Sequence, residues 1–193
     1  MENKKPVIVF DFDKTLTLHD TIAGYYLSCN KNFSLIWKVP YFFIFVFLHV
    51  FKQISNDELK SNGVEIFLKG KTKKELNEAG EKYAKKIKFN KIYETEFLKK
   101  NPNAIIASAS FYEYLQFLFS EDQLLASSLI YNELDLVVGL KTNMYGYNKV
   151  EALRERKINK IDVFYTDSFS DKPLMEIADI TFLIYKNSVT KIE

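Results

Sequence analysis

Four apolar, mostly β-branched residues, Val7-Ile-Val-Phe10, run without a break into Asp11-Phe-Asp13-Lys-Thr-Leu-Thr17. The apolar run has the length and side-chain type of a short buried strand. Two carboxylates one residue apart at the end of such a strand repel each other and resist burial unless a cation compensates them. A divalent ion does so, and an oxygen-only ligand set suits Mg2+. One carboxylate is then placed to act as a nucleophile and the other to shuttle a proton. The plainer reading is a polar turn whose two aspartates face water. The remainder of the chain decides between the two.

The chain has 193 residues, enough for a single domain or a core with a small insert. Lysines and arginines total 27 against 25 acidic residues, a balance that disfavours a nucleic-acid binder. Only Arg154 and Arg156 are arginines, so guanidinium clamps on phosphate or carboxylate are scarce. Cys29 is the sole cysteine, which excludes an internal disulfide and points to a reducing, cytoplasmic setting. With His19 and His49 the only histidines, a His/Cys zinc site and a Ser-His-Asp triad are both poorly supported. The opening Met1-Glu-Asn-Lys-Lys5 is basic, but the apolar run after it stops at Asp11, so no signal peptide is expected.

Asp20 or Thr21 can cap a helix running to Cys29, and Asp20 also stands where it could face a substrate at the mouth of a site. Val39 to Phe51 is apolar apart from Pro40 and His49, crowded with Tyr41, Phe42, Phe43, Phe45, Phe47 and Phe51, and bracketed by Lys38 and Lys52. As helix these thirteen residues reach about 20 Å, short of a bilayer core of about 30 Å. Three readings stand open: a buried helix, a helix lying in the membrane interface with lysines snorkelling, and a span extended back to Phe33. Helices are expected over 56–69, over 72–88 from the capping box Thr72/Glu75, and over 90–100. The lysine run 82–88 reads as a solvated face with some attraction for anionic lipid.

From Ala104 the texture changes to alternating strands and helices. Strands are expected over 104–108, 124–130, 161–165 and 180–185, with a hairpin excursion over 134–140. Helices are expected over 111–119, 148–156 and 173–178. This is the pattern of a parallel α/β sheet, whose ligands bind beyond the carboxyl ends of the strands. Asp11, Asp13, Ser108 and Asp167 all fall at such ends.

With these positions in hand the chain resembles the haloacid dehalogenase (HAD) superfamily of hydrolases. Asp11-Phe-Asp13-Lys-Thr15 resembles its first motif, Ser108 its second, Lys149 in Gly146-Tyr-Asn-Lys-Val its third, and Asp167-Ser-Phe-Ser-Asp171 its fourth. The resemblance implies a Rossmann-like parallel core, 1–18 with 102–193, and a small all-helical cap, 19–101. It implies that Asp11 becomes an aspartyl-phosphate and that Asp13 serves as acid and then base. It further implies that Thr15, Ser108, Ala109 and Lys149 surround the phosphate, that Asp11, Asp167 and the backbone carbonyl of Asp13 bind Mg2+, and that Asp171 supports that metal site or orients Lys149. Thr166 departs from the glycine that many relatives carry.

A helical cap between the first two motifs is similar to that of phosphoserine phosphatases, in which an acidic residue matching Asp20 and a cap arginine hold the amino acid. No arginine lies in 19–101, which disfavours phosphoserine. The pattern is more similar to bacterial phosphatidylglycerophosphate phosphatases of the superfamily, with an apolar, proline-bearing cap helix. That similarity implies a phospholipid substrate and peripheral contact at the inner face of the cytoplasmic membrane through 39–51. The alternatives are a soluble small-molecule phosphatase of the phosphoserine phosphatase-like group, a phosphotransferase, and a non-catalytic binding protein of the same fold.

Overall fold

A computed structural model describes residues 5–192. Most of the basic start, Met1 to Lys4, lies outside them. The expected apolar strand forms as β1 (Ile8–Phe10) and takes the central place in a seven-stranded sheet. The other strands are β2 (Ile105–Phe111), β3 (Leu124–Tyr131), β4 (Val137–Thr142), β5 (Ile161–Thr166), β6 (Ala178–Tyr185) and β7 (Ser188–Ile192). Their order is β4-β3-β2-β1-β5-β6-β7. The five inner strands are parallel, and β4 and β7 close the edges antiparallel. The hairpin expected over 134–140 falls instead between β3 and β4, with Gly139 inside β4 opposite Ile130 rather than at a turn, whereas β7 carries no strong pattern in the sequence.

Alternation along the strands supplies two cores, because successive side chains point to opposite faces. Phe10, Ile106 and Tyr165 enter one cluster, while Val9, Ala107 and Phe164 enter the other. Phe10 stacks on Tyr165 at 4.3 Å between ring centroids, which locks β1 to β5. The chain order reverses at β1, with β2 on one side and β5 on the other. That switch point opens a crevice at the carboxyl ends of these strands.

The helices α1 (Ile22–Ser28), α2 (Asn32–Val50), α3 (Asn56–Phe67) and α4 (Lys73–Ala84) form the cap. The capping box at Thr72 and Glu75 forms, and a second one at Ser55 and Glu58 opens α3. The helix expected to 88 ends at Ala84, and Lys82 on it and Lys85, Lys86 and Lys88 beyond its end are all exposed. The stretch expected as helix over 90–100 is a π-helical turn, Tyr93–Leu98, and it packs on the sheet: Phe97 meets Phe10 and Phe119 edge-on. Thr17 and Phe89 pair as the chain leaves and re-enters the core, and that pair marks the neck of the cap. The remaining helices are α5 (Tyr112–Leu115), α6 (Tyr147–Glu155) and α7 (Lys172–Met175).

The aromatic helix α2 does not become a core element: none of its residues is buried. Leu35, Val39 and Phe42 pack on the cap, with Phe42 meeting Tyr26 and Phe67 edge-on. The rest of its circumference faces outward, with Phe33, Ile36, Trp37, Tyr41, Phe43, Ile44, Phe47 and Val50 all more than half exposed. It is the one helix among the described residues long and apolar enough to cross a membrane by length and composition.

Candidate active site

Asp11 follows β1 directly, and its backbone N–H donates to the Tyr165 carbonyl at 2.9 Å, so β5 sets its position. Lys149 arrives from the first turn of α6. Gly146 starts that helix with a φ of 57° and a ψ of −126°, a conformation open in practice only to glycine. The Lys149 ammonium donates to Asp11 Oδ1 at 2.8 Å and to Asp171 Oδ1 at 2.7 Å. Asp171 Oδ2 accepts from the Thr166 hydroxyl at 2.9 Å. Thr166 therefore has a task that a glycine could not perform. Thr15 donates to Asp11 Oδ2 at 3.2 Å.

Asp13 is held from the other side. The Thr21 N–H and hydroxyl both donate to Asp13 Oδ1, at 2.7 and 2.6 Å, and the Ser110 hydroxyl donates to Oδ2 at 2.5 Å. Tyr114 Oη lies 2.6 Å from the Thr21 hydroxyl, and Tyr83 donates to the Thr21 carbonyl at 2.8 Å. Both Asp13 oxygens thus accept from a network that joins the cap to the core.

These groups converge on a cavity of about 370 Å³. Asp11, Asp13, Asp20, Ala109, Lys149, Asp167 and Asp171 line it, as the sequence suggests. Asp20 Oδ1 accepts the Ile22 N–H at 3.1 Å just ahead of α1, whose N-cap position falls to Thr21, and Asp20 also sits on the cavity wall. Ser108 and Thr15 do not line the cavity. Both are fully buried behind it, Thr15 on Asp11 and Ser108 accepting the Ser110 N–H at 3.0 Å. Ser110, Thr21, Lys14 and Lys60 join the site without any motif that marks them for it. Ser110 has a faint signal in the repeated serine of Ser108-Ala-Ser110, whereas Lys60 has none.

Five carboxylates and three lysines (Lys14, Lys60, Lys149) line the cavity, a deficit of positive charge that a divalent cation would fill. Burial pushes the Asp11 carboxyl up to about 7 against the pull of Lys149. Asp13 is pushed up to about 6, first by burial and then by the Asp20 charge. Burial also raises Asp167, with Lys14 opposing it. For Lys149 burial acts downward, yet the Asp11 and Asp171 carboxylates hold the ammonium above its usual range.

Asp171 accepts from Lys149 and from Thr166, which places it to orient Lys149. The Asp13 carboxylate accepts from Thr21 and Ser110, which fixes its orientation in the site. Among the described residues no three His, Cys, Asp or Glu side chains gather as a metal-holding group. Asp11 and Asp167 both line the cavity, and two carboxylates fit Mg2+, which completes its shell with water and substrate oxygen.

The family model of haloacid dehalogenase-like hydrolases matches residues 8–176. No curated protein matches the chain. Among solved structures, a HAD family hydrolase from Salmonella enterica serovar Typhi superposes with a TM-score of 0.64 at 14% identity, over 90% of this chain and 60% of that one. A phosphoserine phosphohydrolase-like protein from Francisella tularensis gives 0.64 at 19% identity, over 91% and 85%. A substrate-bound phosphoserine phosphatase gives 0.60 at 19%, over 93% and 86%. The chain thus spans only 60% of the Salmonella hydrolase's length, and at these identities the likeness is one of fold. The match over 8–176 takes in both strand-end carboxylate pairs, Lys149 and the cap between them, and the chain belongs to the haloacid dehalogenase-like hydrolase family.

Proposed function

We propose that the protein is a Mg2+-dependent phosphomonoester hydrolase that acts on the head-group phosphate of a phospholipid, of the phosphatidylglycerophosphate kind, at the membrane surface. Asp11 attacks phosphorus, the bond to the ester oxygen breaks, and Asp13 gives its proton to the departing alcohol. Water then attacks the aspartyl-phosphate, yielding its proton to Asp13 and releasing phosphate. A carboxyl pushed up to about 6 by burial suits both halves of that exchange near neutral pH. Lys149 supplies positive charge to the phosphoryl oxygens, and Asp171 and Thr166 keep it aimed. Mg2+, held by Asp11, Asp167 and the Asp13 backbone carbonyl, would let an anionic nucleophile approach an anionic phosphate.

The observation that carries the lipid reading is the position of α2. Its Phe42 lines the cavity beside Ile22, Ala23, Tyr26 and Leu59, and its outward face is wholly apolar. One end of the cavity is therefore charged and the other apolar, continuous with a surface that water does not favour. A polar phosphate at Asp11 with acyl chains leading past Phe42 satisfies both ends.

A soluble phosphate ester is the second reading, favoured by the fold likeness to the phosphoserine phosphatases. It requires the apolar face of α2 to be covered by another copy of the chain. Phosphate release with Mg2+ and with EDTA, from phosphatidylglycerophosphate in detergent, phosphatidic acid, phosphoserine, sugar phosphates and nucleotides, separates the two. Selective turnover of the lipids is expected. Selective turnover of phosphoserine or another soluble ester overturns the lipid reading, and no turnover with Mg2+ bound favours a binding protein.

A further inference from the structure

From the second turn of α3 the cap sends one lysine across to the core. The Lys60 ammonium donates to the Ala109 carbonyl, to the Ser127 hydroxyl at 2.5 Å and to Asn143 Oδ1 at 2.9 Å. An ammonium has three N–H bonds, and here each meets an acceptor. The residue is 7% exposed, and burial pulls its ammonium down to about 7, so only a full set of acceptors makes the charge tolerable. Asn143 reciprocates by donating to Asp57 at 2.5 Å and to Asn56 at 3.1 Å, at the start of the same helix.

The acceptor at Ala109 is the informative one. The peptide joining Ala109 to Ser110 presents its carbonyl to Lys60 and to the Ser127 hydroxyl, which donates at 2.7 Å. Its N–H, that of Ser110, donates to Ser108 Oγ at 3.0 Å, and the Ser110 hydroxyl holds Asp13. A peptide group is planar, so its two ends turn together. Turning the carbonyl away from Lys60 swings the N–H off Ser108 and carries the Ser110 hydroxyl away from Asp13.

We propose that Lys60 is a positioning residue: through it the docked cap fixes the Ala109–Ser110 peptide, and through that peptide the orientations of Ser108 and Asp13. The inference rests on the phosphatase reading above. It also assigns Lys60 no part in gripping a substrate's acidic group, since its three bonds are spent on the core.

The test is Lys60→Met, which keeps the stem and removes the donors, alongside Ser127→Ala, which removes one acceptor. With p-nitrophenyl phosphate and Mg2+, a substrate carrying no carboxylate or amine, Lys60→Met is expected to lower kcat about 100-fold, the scale of a misplacement of about 1 Å at a reacting centre. KM is expected to stay within about twofold, and Ser127→Ala to fall between. In parallel, amide exchange at Ser110 is expected to speed up by about tenfold in Lys60→Met while the amides of α3 and α6 hold their rates. A raised KM at unchanged kcat, or Ser110 exchange equal to wild type, overturns the proposal. If the wild type hydrolyses no phosphomonoester, the phosphatase reading falls and the exchange comparison alone decides the role of Lys60. If Lys60→Met does not fold, Ser127→Ala carries the same comparison.

Discussion

Replacing Phe43 and Phe47 together by serine strips the outward face of α2 without touching the cap's interior. The two lie one helical turn apart and are 62% and 61% exposed. Their neighbour Phe42 would be the wrong choice, because it packs on Tyr26 and Phe67 and lines the cavity. A phenylalanine offers about 200 Å² of surface, so each leaves about 125 Å² open, and at about 25 cal/mol per Å² the pair would gain about 6 kcal/mol if wholly covered by lipid. A helix lying in the interface plane covers about half of that, which makes the loss about 3 kcal/mol, or about 100-fold in partitioning. Co-sedimentation with vesicles of phosphatidylglycerol and phosphatidylcholine reads this directly. The double variant is expected to remain in the supernatant at lipid concentrations that carry the wild type down, while its turnover of a water-soluble ester is unchanged. Wild type that ignores vesicles of every composition refutes the reasoning. So does a double variant that sediments as well as wild type. A wild-type dimer that the double substitution converts to a monomer, with no lipid binding in either, would assign the face to self-association instead.

Asp11→Asn should lower phosphate release by more than about 10³-fold, since an amide cannot replace the attacking carboxylate; turnover near wild type would revive the binding-protein reading. Asp167→Asn should raise the Mg2+ concentration needed for half-maximal rate by at least about 10-fold, and EDTA should silence the wild type; unchanged Mg2+ dependence removes Asp167 from the metal site. Glu113 is buried, accepts one bond from Tyr131 at 2.8 Å and leaves Oε2 without a partner, and burial raises its carboxyl above the usual range. The native state therefore binds this proton more tightly than the unfolded chain, so its contribution is full below the ordinary glutamate pKa and is lost as pH rises through the raised one. Glu113→Gln should accordingly melt higher than wild type at pH 8 and converge with it near pH 4, and a difference that ignores pH refutes the account. Gly80 of α4 faces the Glu113 carbonyl oxygen so closely that a Cβ would collide with backbone, and Gly80→Ala should cost about 1–3 kcal/mol, read as a lowered Tm. A neutral alanine there would mean that α4 can move off α5.

The catalytic frame was legible because parallel strands announce themselves. Each is a short apolar run, and the polar residue that ends it must lie at the crevice. Asp11, Asp13, Lys149 and Asp167 follow from that rule and from the order of motifs, and all four line the cavity. Asp171 closes a 3₁₀ turn, Phe169–Asp171, which brings its carboxylate to Lys149, one of the two roles the resemblance offers it. Residues that work by reaching across the fold leave no local trace. Ser110 meets Asp13 from 97 positions away, and Lys60 meets Ser127 from 67 away. Nothing in the spacing of either names its partner. Segment 90–101 likewise has ordinary helical texture, and the contacts of Phe97 with Phe10 and Phe119 are what set it against the sheet.

The helix α2 is the sharper case, because its own sequence fits burial, interface and span alike: it is apolar nearly all round. What separates these is the placement of its neighbours. Asn32–Val50 is about 28 Å long as helix, close to a bilayer core, so length alone allows a crossing. Topology opposes it. The helix before it, α1, and the helix after it, α3, both return to the same cap: Tyr25 and Tyr26 of α1 are buried there, and Lys60 of α3 reaches the core. A crossing would put α1 and α3 on opposite sides of a membrane and break the stack of Tyr26 on Phe67 at 5.0 Å. Burial is opposed as well: none of its residues is buried, and Leu35, Val39 and Phe42 are the ones that pack on the core cluster among the described residues. On the proposed function, an apolar helix whose two ends stay on one side would lie along a membrane surface, with Phe42 on the wall of the cavity that holds Asp11.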